Sequence, residues 1–273
     1  MKRPFSSLLV NGALLLLAVV TVTPLVWMVS ASLMPTGEAN QEPPRFFPSE
    51  ITWVHYQDLF TRLDLGRHFA NSLLVASAIT LLSLLLNSMA GYAFAKLRFP
   101  GRDRLFAFLL AAMIIPAQVS MLPLFLLMKY LGLVNTWWGV ILPSMATILG
   151  IFLVRQYALS IPGELLDAAR IDGASEFRIY RTIILPLLRP VLVTLAVFTF
   201  LSAWNDFMWP LIILSDDSRY TLPVALANLS GEHIMDTELM MAGAVLTVLP
   251  VILMFLVLQR QYIAGITMGG VKE

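Results

Sequence analysis

The sequence predicts an all-α integral membrane protein with six transmembrane helices, and three observations lead there. Of 273 residues, 58% are hydrophobic and 13% charged, whereas a soluble domain is about half apolar and about a quarter charged. Six stretches are long and apolar enough to cross a hydrocarbon core, which is about 30 Å thick and takes about 20 helical residues. Within them apolar residues run on without the alternation of a β-barrel strand. Lipid offers no water to unpaired backbone groups, so the spans are helices.

The first span covers 8–28. Met1-Lys2-Arg3, an apolar run and Val29-Ser30-Ala31 also resemble a secretory signal with its cleavage site, but the run exceeds the usual ~7–15 residues of such a signal. The loop over 33–69 is Pro-rich. Pro43, Pro44 and Pro48 keep it extended, and Trp53, Tyr56 and Phe60 form an aromatic stripe at helical spacing that is expected to pack on the membrane interface or on neighbouring helices. The remaining spans cover 73–95, 105–128, 138–157, 191–214 and 239–258. Pro24, Pro116, Pro123, Pro143, Pro210 and Pro250 fall within spans, where each removes a donor and bends its helix. Such kinks suit both a gated pathway and a static bundle. The segment over 215–238 is acidic, with Asp216, Asp217, Glu232, Asp236 and Glu238, and reads either as a solvated loop or as a docking surface for an external partner. No boundary separates a soluble domain. The chain divides into an N-terminal part over 1–68, a five-span core over 69–260 and a tail over 261–273.

Composition excludes several functions. Net charge is +1, so no global field favours nucleic acid or a polyanion. There is no Cys, hence no disulfide, thiolate nucleophile or Cys-based zinc site. His55, His68 and His233 are far apart and read as solvated loop or interface residues, with no metal spacing. Neither a catalytic triad nor a paired-carboxylate constellation is visible, and no G-x-x-x-x-G-K-[ST] phosphate loop occurs.

Lys and Arg fix an orientation. With a cytoplasmic N-terminus, the inner segments carry Lys2, Arg3, Lys96, Arg98, Arg102, Arg104, Arg155, Arg170, Arg178, Arg181, Arg189, Arg260 and Lys272. The outer ones carry Arg45, Arg62, Arg67, Lys129 and Arg219. This asymmetry places both termini in the cytoplasm.

One cytoplasmic loop is a charged island: "LDAARIDGASEFRIYRTIILP", residues 166–186. Pro162 and Gly163 open a short helix, Glu164 and Asp167 sit in its early turns near the positive end of the dipole, and Gly173 stops it. Leu165, Ala168 and Ala169 give it a narrow apolar strip. A second helix begins near Ser175, with Phe177, Tyr180 and Ile184 as its apolar face, and Pro186 and Pro190 end it and start the fifth span. Amphipathic helices also lie on anionic lipid, but Glu164, Asp167 and Asp172 against one Arg170 suit a protein cleft better.

Asp167-Ala168-Ala169, then Gly173, then Ile183-Ile184-Leu185-Pro186 resemble the "EAA…G…I-LP" loop of ATP-binding-cassette importer permeases, with Asp167 in place of the usual Glu. "GYAFAKLRFPGR", "MIIPAQVSMLPLF", "LGLVNTWWGVILP", "IPGELLDAARIDGAS", "WNDFMWPLIIL" and "GITMGGVK" are similar to the carbohydrate-uptake branch of that family, the maltose and glycerol-phosphate type. The resemblance covers most of the chain from residue 69 onward.

It implies a type I importer permease fold in the bacterial cytoplasmic (inner) membrane and half of a translocation pathway for a sugar. It further implies a second, homologous permease, two ATP-binding subunits that hydrolyse ATP in place of this chain, and a periplasmic or extracellular solute-binding protein. Membrane lipid surrounds the assembly. No cofactor and no nucleic acid are implied. Residues 164–173 become the helix that docks on the ATPase, so the implied coupling residues are Glu164, Asp167, Ala168, Ala169, Asp172, Gly173, Leu185 and Pro186.

Asp206, in "SAWNDFMWP", is the exceptional ionisable group inside a span, where a carboxyl should face protein or a water-filled cavity. Asn87, Trp204, Asn205 and Asp206 are the candidate pathway residues, since sugars want hydrogen bonds and an aromatic face. Ordinary helix packing is the alternative for all four. Two other functions stay open: a secondary transporter, which usually needs more intramembrane ionisable groups than this chain carries, and a membrane subunit that docks the ATPase without conducting solute.

Overall fold

A computed structural model describes the backbone of residues 4–232 and 236–270 and the side chains of residues 10–228 and 236–256. Lys2, Arg3, His233 and Lys272, and the side chains of Glu232, Arg260 and "GITMGGVK", lie outside the described residues. All regular structure among the described residues is helical.

In chain order the helices are α1 (Pro4–Ala31), α2 (Val54–Thr61), α3 (Leu65–Lys96), α4 (Arg102–Ala112), α5 (Ala117–Tyr130), α6 (Trp137–Ser144), α7 (Ile148–Leu159) and α8 (Gly163–Ile171). There follow α9 (Glu176–Ile179), a π-turn (Tyr180–Ile184), α10 (Leu185–Leu187), α11 (Arg189–Trp204), α12 (Met208–Ile213), a 3₁₀ turn (Asp217–Arg219), α13 (Leu222–Glu232) and α14 (Thr237–Gly270). Four stretches are long and apolar enough to cross a membrane: Val10–Ala31, Leu65–Lys96, Trp137–Leu159 and Thr237–Leu256. Two bent helix pairs bring the count to six. From Val10 to Val26 the apolar side chains of α1 are bare, with Leu15 at 70% exposure, a state that water does not permit for so long a stretch of helix.

The span expected over 105–128 is not one helix. α4 ends at Ala112, and α5 leaves Pro116 at 105° to it. Pro116 sits at φ −59°, ψ 134°; it has no N–H to give the preceding turn, and its extended ψ restarts the chain in a new direction. The fourth span breaks more gently at 145–147, where the Thr147 hydroxyl caps α7 by accepting from the Gly150 N–H at 3.1 Å. The fifth breaks at 205–207, between α11 and α12.

The chain forms two compact units. In the first, residues 1–67 and 225–253, a small core of Ala31, Met34 and Ala39 packs with Trp27 and Met241. The loop after α1 is pinned by two buried carboxylates. Glu38 accepts from the Ser49 N–H at 3.1 Å and from Arg45, and Glu238 accepts from the Ala39 N–H at 2.7 Å. Asp236 accepts from the Leu239 N–H at 2.9 Å, at the start of α14. Part of the acidic 215–238 segment therefore builds structure and is not simply solvated. Around α2, Trp53 and Phe60 are exposed and Tyr56 is half-buried, its hydroxyl 2.8 Å from Ser32 Oγ, while His55 and Leu59 are buried. His55 is no solvated residue; its Nε2 lies 2.9 Å from the Met34 carbonyl.

The second unit, residues 68–224 and 254–273, holds two cores. One gathers Val75 and Ile79 of α3, Met128 of α5, Val140 and Ile141 of α6, and Trp209 and Ile213 of α12. Here too a histidine is buried: His68, whose Nδ1 faces the Tyr220 carbonyl at 3.3 Å. The other core lies at the Lys96 end of α3 and joins Tyr92, Ala95, Val154, Ala158, Ile161, Leu166, Ile179, Ile184 and Leu188. Gly91 lets α3 and α7 approach: a Cβ there would stand 2.5 Å from Val154 Cγ1 and 3.0 Å from the Arg155 nitrogen.

Candidate functional site

The island stands on this second core. Pro162, with ψ 134°, introduces α8, Glu164 lies in its first turn, and the helix stops in a Schellman arrangement. The Gly173 N–H donates to the Arg170 carbonyl at 3.0 Å and the Ala174 N–H to the Ala169 carbonyl at 2.9 Å, with Gly173 at φ +77°. That left-handed conformation suits glycine, and a Cβ on Gly173 would meet open space. The turn is thus set by backbone chemistry and not by crowding.

The apolar residues of α8 divide between the core and the outside. Leu166, 2% exposed, is the anchor, with Ala169 partly buried beside it, while Leu165, Ala168 and Ile171 face outward. Leu166, Ala169 and Gly173 also follow i, i+3, i+7 spacing, which is the signal the sequence offered for this face. Ser175 does open the next helix, its hydroxyl accepting from the Arg178 N–H at 3.4 Å. Beyond it Tyr180 and Ile184 are buried as expected, but Phe177 is 65% exposed and Ile179 takes its place inside. A π-turn intervenes, its Leu185 N–H donating to the Tyr180 carbonyl, and the extra residue in that turn breaks the regular phase that would put Phe177 on one face with Ile184. Pro186 lies within α10, and the helical run ends one residue later at Leu187, where the chain bends by 77° into α11, which opens with Arg189 and Pro190 as expected.

Charged groups bind the island to itself and to α3. Arg170 donates through Nε to Glu176 at 2.8 Å and through a terminal nitrogen to Asp167 at 2.8 Å. The hydrogen bond to Glu176, with that to Asp167, raises the pKa of the Arg170 guanidinium above its usual value, so it is a cation at every relevant pH. The second oxygen of Glu176 accepts from the Tyr92 hydroxyl of α3 at 2.7 Å. One turn earlier on α3, Ser88 Oγ lies 2.7 Å from the Tyr180 hydroxyl. Lys96 Nζ donates to the Ile161 carbonyl. Of the remaining residues expected to act here, Asp172 and Pro186 are exposed and Leu185 is partly buried.

A second feature is a cavity of about 540 Å³ within the same unit. Asp206, Ser202, Thr199 and Phe198 line one side, with Ser144, Thr147 and Gly150 from the break between α6 and α7. Asp206 also lies 3.5 Å from the Trp209 N–H. The other three candidate pathway residues are not in the lining. Asn87 is buried, donating to Ser83 at 2.7 Å and accepting from the Thr147 N–H at 3.1 Å, so it fastens α3 to the α6–α7 break behind the cavity wall. Trp204 is buried against Phe69 and Phe200. Asn205 turns back on the Leu201 carbonyl at 2.8 Å. The sequence reading missed Ser144, Thr147, Thr199 and Ser202, because hydroxyl residues in a span look like ordinary small packing residues.

Residues 84–267 match the model of the family described as binding-protein-dependent transport system inner membrane component. The chain belongs to this family. The permease is 41% identical to the arabinooligosaccharides transport system permease protein AraQ of Halalkalibacterium halodurans, over 100% of both chains. It is 31% identical to the lactose transport system permease protein LacG of Rhizobium radiobacter, over 100% of this chain and 98% of the relative. In fold it is similar to a chain in the crystal structure of a bacterial ABC transporter involved in the import of the acidic polysaccharide alginate, with a TM-score of 0.85 at 24% identity, over 95% of the permease and 98% of that chain. The permease is therefore a multi-pass membrane subunit of an importer of this class, with the fold implied by the resemblance.

Proposed function

We propose that the permease forms half of the translocation pathway of an ATP-driven sugar uptake system and that residues 164–186 dock it on a separate ATPase. The observation that carries this is the form of the island: a polar projection, rooted by Leu166 and Ile179 in a buried core, presenting outward both acids and the bare side chains of Leu165, Ile171 and Phe177. Ile171 is 87% exposed, next to Glu164, Asp167 and Asp172. Acids beside bare apolar groups fit a cleft in a soluble protein better than an anionic leaflet.

In the proposed assembly a second, homologous permease completes the pathway, two ATP-binding subunits lie under the islands, and an external solute-binding protein delivers the sugar. The weight of Lys and Arg at the island end supports a cytoplasmic island and cytoplasmic termini. ATP is hydrolysed by the partner, since this chain has no phosphate loop. Closure of the ATPase pair on ATP moves the docked islands, and the broken spans rock between inward-open and outward-open states. The driving force is the differential affinity of ATP and of loaded binding protein for the two states.

The chemistry of the cavity suits a sugar. Ser144, Thr199, Ser202 and Asp206 offer donors and acceptors for hydroxyls, and Phe198 an apolar face. The relatives named for arabinooligosaccharides and lactose support the same substrate class. The test is uptake by vesicles holding the complex co-purified through a tag on this chain, given labelled arabinooligosaccharides, lactose and trehalose. Uptake of one of them is expected only with ATP inside and the binding protein outside, and is expected to survive collapse of ion gradients. Uptake driven by an ion gradient without ATP would overturn the proposal.

A further inference from the structure

We infer that Tyr92, Glu176 and Arg170 are positioning residues that make the island and α3 move as one body, so that displacement of the island reaches the membrane span without slack. The inference rests on the proposed docking role of the island. It starts from a mechanical difficulty. The island has two short helices, α8 and α9, meeting at a turn where Gly173 has open space beside its Cα and Ala174 is only partly buried on the core. A push on α8 could be absorbed by flexing at Gly173 instead of reaching a span. On α8 Leu166 is fully buried and Ala169 partly buried beside it, and so short an apolar root resists lifting better than hinging.

The polar contacts close that gap in two steps. Arg170, in the last turn of α8, reaches across the glycine turn to Glu176, the first residue of α9, while its other arm holds Asp167 on its own helix. The planar guanidinium thereby braces both sides of the turn. Glu176 then uses its other oxygen to accept from Tyr92, whose ring is 4% exposed in the core beneath. Tyr92 lies one turn from the end of α3, a span of 32 residues. Ser88, four residues earlier on the same face, meets Tyr180, so α9 and its π-turn are tied to α3 at two consecutive turns. Arg170 and Glu176 are partly exposed, and such a pair adds little to stability. A hydrogen-bonded chain from α8 through α9 to a buried hydroxyl serves direction more than strength.

The test uses the assembled transporter in proteoliposomes, reading uptake, ATP hydrolysis and ATPase co-purification for Tyr92→Phe, Glu176→Ala, their double variant and, as a control for docking itself, Ile171→Asp. Tyr92→Phe removes one hydroxyl and keeps the ring, so folding is preserved. It is expected to leave ATPase co-purification and basal hydrolysis unchanged while sugar moved per ATP falls about threefold to tenfold, the population change that loss of one hydrogen bond produces. The double variant is expected to be no worse than Glu176→Ala alone, because both act through one contact. Full uptake per ATP in Tyr92→Phe, or losses that multiply in the double variant, would overturn the inference. Failure of the docking role itself looks different: Ile171→Asp would then keep its ATPase.

Discussion

Two glycines with the same side chain of one hydrogen do opposite work in the permease, and substitution separates them. Gly91 is a contact residue: the Cβ of Gly91→Ala would meet Val154 at 2.5 Å and backbone at 3.0 Å, so α3 and α7 must part. A loss of about 1–3 kcal/mol is expected, read as a lower unfolding midpoint in detergent. Gly173 is a conformational residue, at φ +77° with free space around it. Gly173→Val places a β-branched side chain in the left-handed region at a cost of about 1–2 kcal/mol, a factor of roughly 5–30 in the population of the intact turn. Uptake should fall by a comparable factor while membrane insertion and the global unfolding midpoint hold. Gly173 could be read from the sequence, because it follows a short amphipathic helix and carries the family motif. Gly91 could not, because its need arises from Val154, which the fold brings across from another helix.

At the scale of elements, the six apolar stretches were legible because lipid tolerates little else, and a continuous apolar run of 20 residues has one reading. Their breaks were less so. Pro116 and Pro123 fall in the same stretch, yet the chain turns 105° at Pro116 and continues helical through Pro123; a proline in a span marks where bending is possible and not where it occurs. The π-turn over Tyr180–Ile184 was hidden for a related reason. One inserted residue breaks the phase between the residues before it and those after it, so a regular 3.6-residue period groups Phe177 with Ile184 and overlooks Ile179. Leu166 is the anchor of the island, yet in the sequence nothing but spacing distinguishes it from its exposed neighbour Leu165. The consequence is testable: Leu166→Ala should cost about 2–5 kcal/mol of local anchoring, making the island a preferred cleavage site for added protease while the spans stay protected. The same truncation at exposed Leu165 should leave protease resistance unchanged.

For the whole molecule, the proposed function assigns the polar island to a motor and the cavity to a solute. The cavity beside Asp206 was partly legible, since one carboxyl in a span draws attention. Its hydroxyl lining was not, because Ser144, Thr147, Thr199 and Ser202 come together only through the break between α6 and α7. The chain has no Cys, so single-cysteine variants report cleanly on position. Ile171→Cys, at the exposed tip of the island, is the most direct probe. In intact cells it should resist a membrane-impermeant thiol reagent, and in inverted vesicles it should react and then form, with a short bifunctional reagent, a cross-link to an ATP-binding subunit. Labelling of Ile171→Cys from outside intact cells, or a purified complex in which no ATP-binding subunit is ever captured, would contradict the account.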